Sequence, residues 1–342
     1  MTGPLLTAYS PDLTGLICAW LFLPGQAGRA LAAAEVEAWV KAPAQGGEFL
    51  WLHMNLAHAG TEKWLQRQLT LSPVFYEALH EGTRSTRIDY ADNTLVAVVN
   101  DVLFDFTCES PEVSTLWLSV SPRVLVTARS KPLRSIDRLR EAVKRGDEQL
   151  RSPAELLIHL LRDEADVLIQ IVRDIAARVD SIEDRLLTRS RLEGSRSQLG
   201  AYRRLLVRLQ RLLAPEPAAL FRLLNRPPQW MAEVDVRELR QSTEEFSTVI
   251  TDMVALQERI KLLQEEIAAQ GNEETSRSLF LLTTVSVLAL PINLIAGLFG
   301  MNVGGVPFGD NHAGFWVVVA IVASFTAVAA VLAFRARRDG QE

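Results

Sequence analysis

Soft metal ligands are scarce in this chain: 342 residues hold 2 cysteines and 5 histidines. Cys18 and Cys108 lie far apart and outside any Cys-x-x-Cys spacing. That excludes a zinc ribbon and a thioredoxin-like dithiol, and the expected role is two buried small hydrophobes. An excess of one charge sign is also missing, the net value being -5, so no broad basic field invites nucleic acid. No Gly-x-x-x-x-Gly-Lys loop, His-Glu-x-x-His helix or paired nucleophile and base occurs, so neither an enzyme nor a bound cofactor is expected. The most consequential absence is local. Residues 279–299 and 314–334 contain no ionisable side chain.

Each of these apolar runs is about 21 residues long, enough at about 1.5 Å of rise per residue to cross a hydrocarbon core of roughly 30 Å. Only the short turn Gly300-Met301-Asn302-Val303-Gly304-Gly305-Val306-Pro307 and a few polar residues separate them, so a two-helix transmembrane hairpin is predicted. The alternative, a pair of buried core helices, fits poorly with uncharged runs of this length. Arg335, Arg337 and Arg338 follow the second run, whereas the loop over 300–313 carries Asp310 and neither lysine nor arginine. Positive charge stays inside, which puts both termini in the cytoplasm and the loop outside. The short apolar run 16–23 has no basic stretch before it and reads as a buried strand, not a secretion signal.

The rest of the chain is rich in both charge signs and divides by pattern. Residues 1–150 alternate short β-rich runs, at 16–23, 49–54, 94–100, 113–120 and 124–127, with helical ones at 30–40, 62–68 and 136–145, predicting an α+β cytoplasmic domain with a mixed sheet and flanking helices. Residues 151–276 read as long helices. Ser152-Pro153 supplies a cap and a first helical position, and Leu168, Ile171, Ile175, Val179, Ile182 and Leu186 follow in steps of three and four. A second helix near 198–213 stops at Pro215-Glu216-Pro217, and a shorter one at Arg226-Pro227-Pro228. A third begins near Val234, with Phe246, Val249, Met253, Leu256, Ile260, Leu263 and Ile267 forming a heptad seam. That seam packs either on the preceding helices of the same chain or on a second copy. With no proline before Pro291, the third helix runs into the first span and would measure on the order of 100 Å. A rod of that length suits a bundle of identical copies. Residues 277–342 form the membrane domain.

Within the first span the polar residues fall on one side. Ser286, Asn293 and Gly300 are seven residues apart, as are Thr283, Leu290 and Gly297. The opposite side is Leu, Val and Ile, while the second span offers only Ser324 and Thr326. The first span is therefore expected to line a pore, with the second facing lipid. Small and polar residues also mediate helix contacts in membranes. An amide near mid-membrane, as at Asn293, argues for function. Pro291 frees a carbonyl one turn earlier, which favours a bend.

Gly300-Met301-Asn302 directly after a first span, a second span close behind, a basic tail, and a large α/β and long-helix region together resemble the CorA-type divalent metal transporters. The continuation Val303-Gly304-Gly305-Val306-Pro307, without the acidic Met-Pro-Glu-Leu-type loop of magnesium channels, resembles the ZntB zinc-transport branch, as does Leu279-Phe280-Leu281-Leu282-Thr283-Thr284-Val285-Ser286. The resemblance implies a CorA-like homopentamer with a cytoplasmic funnel in the inner membrane, a pore formed by the first span of each copy, and zinc uptake linked to protons. A magnesium, cobalt or nickel channel is the alternative within the family. A membrane-anchored coiled-coil signalling protein is the alternative outside it.

The motif has its own physics. Gly300 can end the helix in a left-handed conformation and let Met301 and Asn302 form the outer mouth. A ring of Asn302 amide oxygens would hold a hydrated cation without trapping it. Zinc seeks Cys, His or carboxylate ligands and magnesium keeps its waters, so amides and hydroxyls alone do not choose between them. Carboxylate and imidazole candidates flank the pore: Asp310 and His312 on the outer loop, and Asp252, Glu258 and Glu265 on the stalk, where an ordinary charged helix face is the plainer reading. Arg203, Arg204, Arg208 and Arg211 are expected to pair with Asp180, Glu183 and Asp184.

Overall fold

The computed structural model describes residues 14–43, 46–81, 86–108, 112–147, 149–188, 194–300 and 313–339; within the last helix, side chains are described through 328 and at 331. The chain divides into two compact units, Met1–Gln264 and Glu265–Glu342. In order, the elements are β1 (Leu16–Phe22), β2 (Arg29–Ala30), α1 (Ala33–Lys41), β3 (Phe49–Asn55), α2 (Thr61–Gln68), α3 (Pro73–Glu81), β4 (Arg87–Ala91), β5 (Thr94–Val102), β6 (Val113–Val120), β7 (Val124–Arg129), α4 (Arg134–Arg145), α5 (Pro153–Leu187), α6 (Ser195–Leu213), α7 (Pro215–Asn225), α8 (Glu233–Phe299) and α9 (Gly314–Asp339).

The seven strands form one sheet in the order β2-β1-β3-β7-β6-β5-β4. It is mixed: β3 and β7 run parallel and every other neighbouring pair antiparallel. Successive side chains of a strand point to opposite faces, and here both faces are covered. Trp51, Leu95, Ala97, Val99, Leu116, Leu118 and Leu125 join a core with α4, α5, α7 and the start of α8. Leu50, Leu52, Val96, Val98, Trp117, Val126 and Ala128 join a second core with α1, α2 and α3. The β4–β5 hairpin closes on Asp92 and Asn93, both at positive φ (51° and 59°), the pattern of a two-residue type I′ turn.

A chain of polar groups runs through this interior. Trp51 Nε1 donates to Thr127 Oγ1 (3.0 Å), which in turn donates to Leu52 O (3.2 Å). His53 Nδ1 lies 2.8 Å from the same hydroxyl, and Arg129 Nε donates to His53 Nε2 (2.9 Å). Arg129 also reaches Asp137 (3.2 Å), which Arg140 braces at 3.3 Å. The groups are buried and hydrogen-bonded, the condition under which polar side chains persist in a core.

In the helical part, Ser152 caps α5 by accepting from Glu155 N (3.0 Å), with Pro153 at the first position. Ser152 Oγ also donates to Asp235 in the first turn of α8 (3.0 Å), which fixes where the two helices begin side by side. The predicted α5 stripe, Leu168 to Leu186, is buried throughout. So are Phe246, Val249, Met253, Leu256, Ile260 and Leu263 of the α8 seam, within the first unit of a single chain. Only Ile267 keeps partial exposure. Between the two readings of the seam, packing on the same chain is what these six residues do.

Two expectations need correction, on the acids of α5 and on the cysteines. Asp180 and Glu183 of α5 pair with Arg259 of α8, at 2.7 Å for Asp180. Arg203, Arg204, Arg208 and Arg211 of α6 are exposed, and among the described residues no ion pair joins them to those acids. An arginine from the longer helix wins because α8 lies against α5 where these acids project. The proline run Pro215-Glu216-Pro217 ends α6 at Leu213 as expected, and α7 starts at Pro215 itself, whose missing N–H is no loss in a first turn. Cys18 and Cys108 are partly exposed and not fully buried, and neither forms a disulfide. The Cys18 thiol still lies deep enough that burial, partly offset by the Arg140 charge, pushes it up to about 12.

Candidate cation pathway

The last third of α8 is where chemistry and geometry meet. Among the described residues, α8 is the one helix long and apolar enough to cross a membrane, and the apolar window in it has no residue buried by the rest of the chain. Leu282, Val285, Leu290 and Leu294 stand at 60% exposure or more. Such a continuous apolar surface cannot be left to water; it demands lipid or other copies. The described side chains of α9 add a second apolar stretch over Gly314–Val328. Its Phe315 and Trp316, both 70% exposed, lie at the start, where aromatic side chains mark membrane interfaces.

Exposure is not uniform around α8. Thr284, Leu288, Ala289, Pro291 and Ile295 are half-buried, and all but Ala289, spaced by four, three and four, fall on one side. Thr283, Ser286, Leu290, Asn293, Gly297 and Gly300 are all exposed. Ser286, Leu290, Asn293 and Gly297 each lie two residues from a covered position, which at about 100° per residue places them on roughly the opposite side of the helix. These polar and small residues are thus among those the chain leaves open, as are Leu281, Val285 and Leu298 on other sides of the helix.

The helix continues through Pro291. At its end, Gly300 differs from expectation. It does not take a left-handed conformation: its φ is not positive, and its N–H donates to Ala296 O (2.9 Å), extending the helical turn by one residue. A Cβ there would lie 3.1 Å from that carbonyl, so glycine at this position permits close backbone approach instead of a reversed φ. Met301, Asn302, Asp310 and His312 lie outside the described residues.

Asp252, Glu258 and Glu265 are exposed along α8. Glu258 is matched by Lys261 one turn on, at 3.6 Å, as on an ordinary charged helix face. Among the described residues no three His, Cys, Asp or Glu side chains converge as a metal site.

The family described as CorA-like Mg2+ transporter protein matches residues 46–337, most of the chain. The chain belongs to that family. It is 26% identical over 276 residues to a divalent cation transporter, CmaX, of Pseudomonas aeruginosa, covering 80% of this chain and 83% of that protein. It is 23% identical over 266 residues to the zinc transport protein ZntB of Yersinia enterocolitica, covering 78% and 80%. Its fold is that of full-length CmaX, with a TM-score of 0.76 at 23% identity over 93% of this chain and 98% of the other. The CorA magnesium transporter of Methanocaldococcus jannaschii has the same fold, with a TM-score of 0.74 at 17% identity over 92% and 97%. The CorA-like architecture expected from the sequence is therefore the one present.

Proposed function

We propose that this chain is the protomer of an inner-membrane transporter for divalent metal cations that takes zinc into the cytoplasm together with protons. The observation that carries the reading is the exposed stripe of Thr283, Ser286, Asn293 and Gly300 on an otherwise apolar helix, with Ser286 and Asn293 roughly opposite its half-buried side. Several copies, five by family resemblance, would turn that stripe inward and enclose a passage lined by hydroxyl and amide groups, with both termini cytoplasmic. Asn302 would add an amide ring at the outer mouth, and Asp310 and His312 would meet the ion outside. Asp252, Glu258 and Glu265, one per copy, would form acidic rings along the cytoplasmic stalk.

Support for zinc comes from the Gly-Met-Asn-Val-Gly-Gly-Val-Pro continuation and from relatives named as zinc transport proteins. Magnesium is the second reading, favoured by a lining with no thiolate, imidazole or carboxylate, which suits a hydrated hard cation. Reconstitution in liposomes with zinc and magnesium indicators inside separates the two. Zinc entry that accelerates with an inward proton gradient and falls in Asn302→Ala, with assembly intact, is the expected result. Entry indifferent to the gradient removes the proton coupling, and unchanged flux in Asn302→Ala removes that residue from the pathway.

A further inference from the structure

Where the start of β3, the β6–β7 turn and the start of α5 meet, they border an open cavity of about 280 Å³, lined by residues 46–49, 122–123 and 151–153. That volume lies at the small end of ligand pockets. Its walls are fixed by hydrogen bonds: Leu50 N donates to Arg123 O (2.8 Å), and Ser121 closes the turn on Val124 O through its N–H (2.9 Å) and its hydroxyl (3.0 Å). Gly47 stands at φ 78°, and a Cβ there would lie 2.8 Å from Pro24 Cγ, two reasons for glycine on this border. Donors outnumber acceptors around the cavity. The Arg123 guanidinium lies over the Trp39 ring, 4.6 Å from its centroid, and its Nη2 reaches Glu48 (3.4 Å), the one carboxylate in the lining. Its Nε is buried and meets no acceptor among the described residues. Arg151 is oriented by Glu155, which takes Nε (3.0 Å) and Nη2 (2.7 Å), with Glu238 at 4.0 Å from Nη2. Its Nη1 donates to no acceptor among the described residues, and the same holds for the N–H groups of Gly46 and Gly47. A guanidinium only donates, so a buried N–H of this kind calls for an acceptor from outside the chain.

We propose that this cavity binds a small phosphate-bearing anion, clamped between the Arg123 and Arg151 guanidinium groups with the glycine N–H groups at its edge. A guanidinium fork matches the oxygens of a phosphate in shape as well as in charge, and two forks from different segments supply several donors where a water molecule would supply one oxygen. The ligand ties together three segments distant in sequence. Ser152, in the same border, donates to Asp235 in the first turn of α8 (3.0 Å), so occupancy bears on how the longest helix is anchored. Free phosphate and a phosphate ester share this chemistry, and Phe49 and Pro122 of the lining would receive the organic part of an ester. The inference stands whichever metal ion the chain carries.

The test is calorimetric titration of the full-length protein in detergent with inorganic phosphate, at neutral pH and constant ionic strength. Saturable binding with a Kd of about 1 mM or tighter is expected, and the thermal midpoint should rise as phosphate is added. Arg123→Gln and Arg151→Gln should each weaken binding by about tenfold or more, while Arg29→Gln, outside the cavity, leaves it unchanged. Should Arg123→Gln fail to fold, Arg151→Gln, whose side chain is 57% exposed, decides the matter against the same control. Titration with glycerol 3-phosphate identifies the source: tighter binding than inorganic phosphate assigns an ester, and equal or weaker binding assigns the free ion. Absence of saturable binding for both ligands, undiminished binding in Arg151→Gln, or an equal loss in Arg29→Gln overturns the site.

Discussion

Arg129 Nε donates to His53 Nε2 at 2.9 Å, and that single bond settles the state of the imidazole. A guanidinium cannot accept, so Nε2 is the acceptor, the proton sits on Nδ1, and the ring is neutral. Burial first, then the charges of Arg129 and Arg140, holds the His53 pKa well below 6.5. The unfolded chain binds a proton at His53 below about pH 6.5 while the folded chain does not, so its contribution to stability is complete above that value and lost as pH falls. Chemical denaturation of the detergent-solubilised protein between about pH 7 and pH 5 should show this loss, and His53→Gln should flatten it.

Removing the other partner is more costly. Arg129→Met leaves Asp137 buried with Arg140 as its remaining counter-charge, and a broken buried pair costs roughly 3 to 5 kcal/mol. The lower end is expected here because Arg140 remains. Asp137→Asn in the same background should restore part of the loss. A double-mutant cycle measured by denaturant midpoint checks it.

The α8 seam makes a sharper claim about where stability resides. Phe246 (1% exposed) and Ile260 (0%) are buried within the single chain, so Phe246→Ala should cost roughly 3 to 5 kcal/mol and Ile260→Ala roughly 2 to 5. Because the contacts lie inside the protomer, the loss should not depend on protein concentration. A midpoint that rises with concentration would place the seam between copies.

Polar groups on α8 and α9 should separate in transport. Asn293→Leu is expected to slow flux by about tenfold, equivalent to roughly 1.4 kcal/mol at the barrier, without altering subunit number. Ser324→Ala on α9 is expected to leave flux unchanged. Liposome flux with mass measurement in detergent reads both. Equal effects of the two substitutions would contradict the assignment of the lining to the first span.

Cys18 gives a test of the sheet interior that needs no substitution. With its thiol pushed up to about 12 by burial, the reactive thiolate is scarce at neutral pH. Alkylation of Cys18, followed by peptide mass, should be slow in the folded protein and fast in denaturant.

Much of this architecture was legible because its signals are local. Strands at 49–55, 94–102, 113–120 and 124–129 are predominantly apolar at successive positions, which is how a sheet covered on both faces reads. Ser152-Pro153 stated the start of α5 outright. Other elements carried weak signals. Strand β4, Arg-Ile-Asp-Tyr-Ala, is an edge with no fully buried residue, and β2 is two residues long, so neither shows a hydrophobic pattern. Helix α3 rests on Phe75, Ala78 and the Trp117 indole bond to Ala78 O (3.0 Å), contacts made across 39 residues. Glu164 reads as an ordinary charge on a long helix and Glu216 as a charge in a proline break, and only the fold shows that both are buried, at 2% and 0% exposure.

By itself, the sequence determined that two uncharged runs must leave water and that the polar groups of the first share one side, because helical periodicity and chain length are properties of consecutive residues. It determined the family through Gly300-Met301-Asn302 in its setting. Tertiary structure decided which charges meet: Arg259 in place of the α6 arginines for Asp180 and Glu183, and Arg129 for His53 across 76 residues. It also decided that the α8 seam closes on its own chain while the polar stripe stays open. Pairing over such distances depends on which helix and strand faces are brought together, and only the folded chain fixes that.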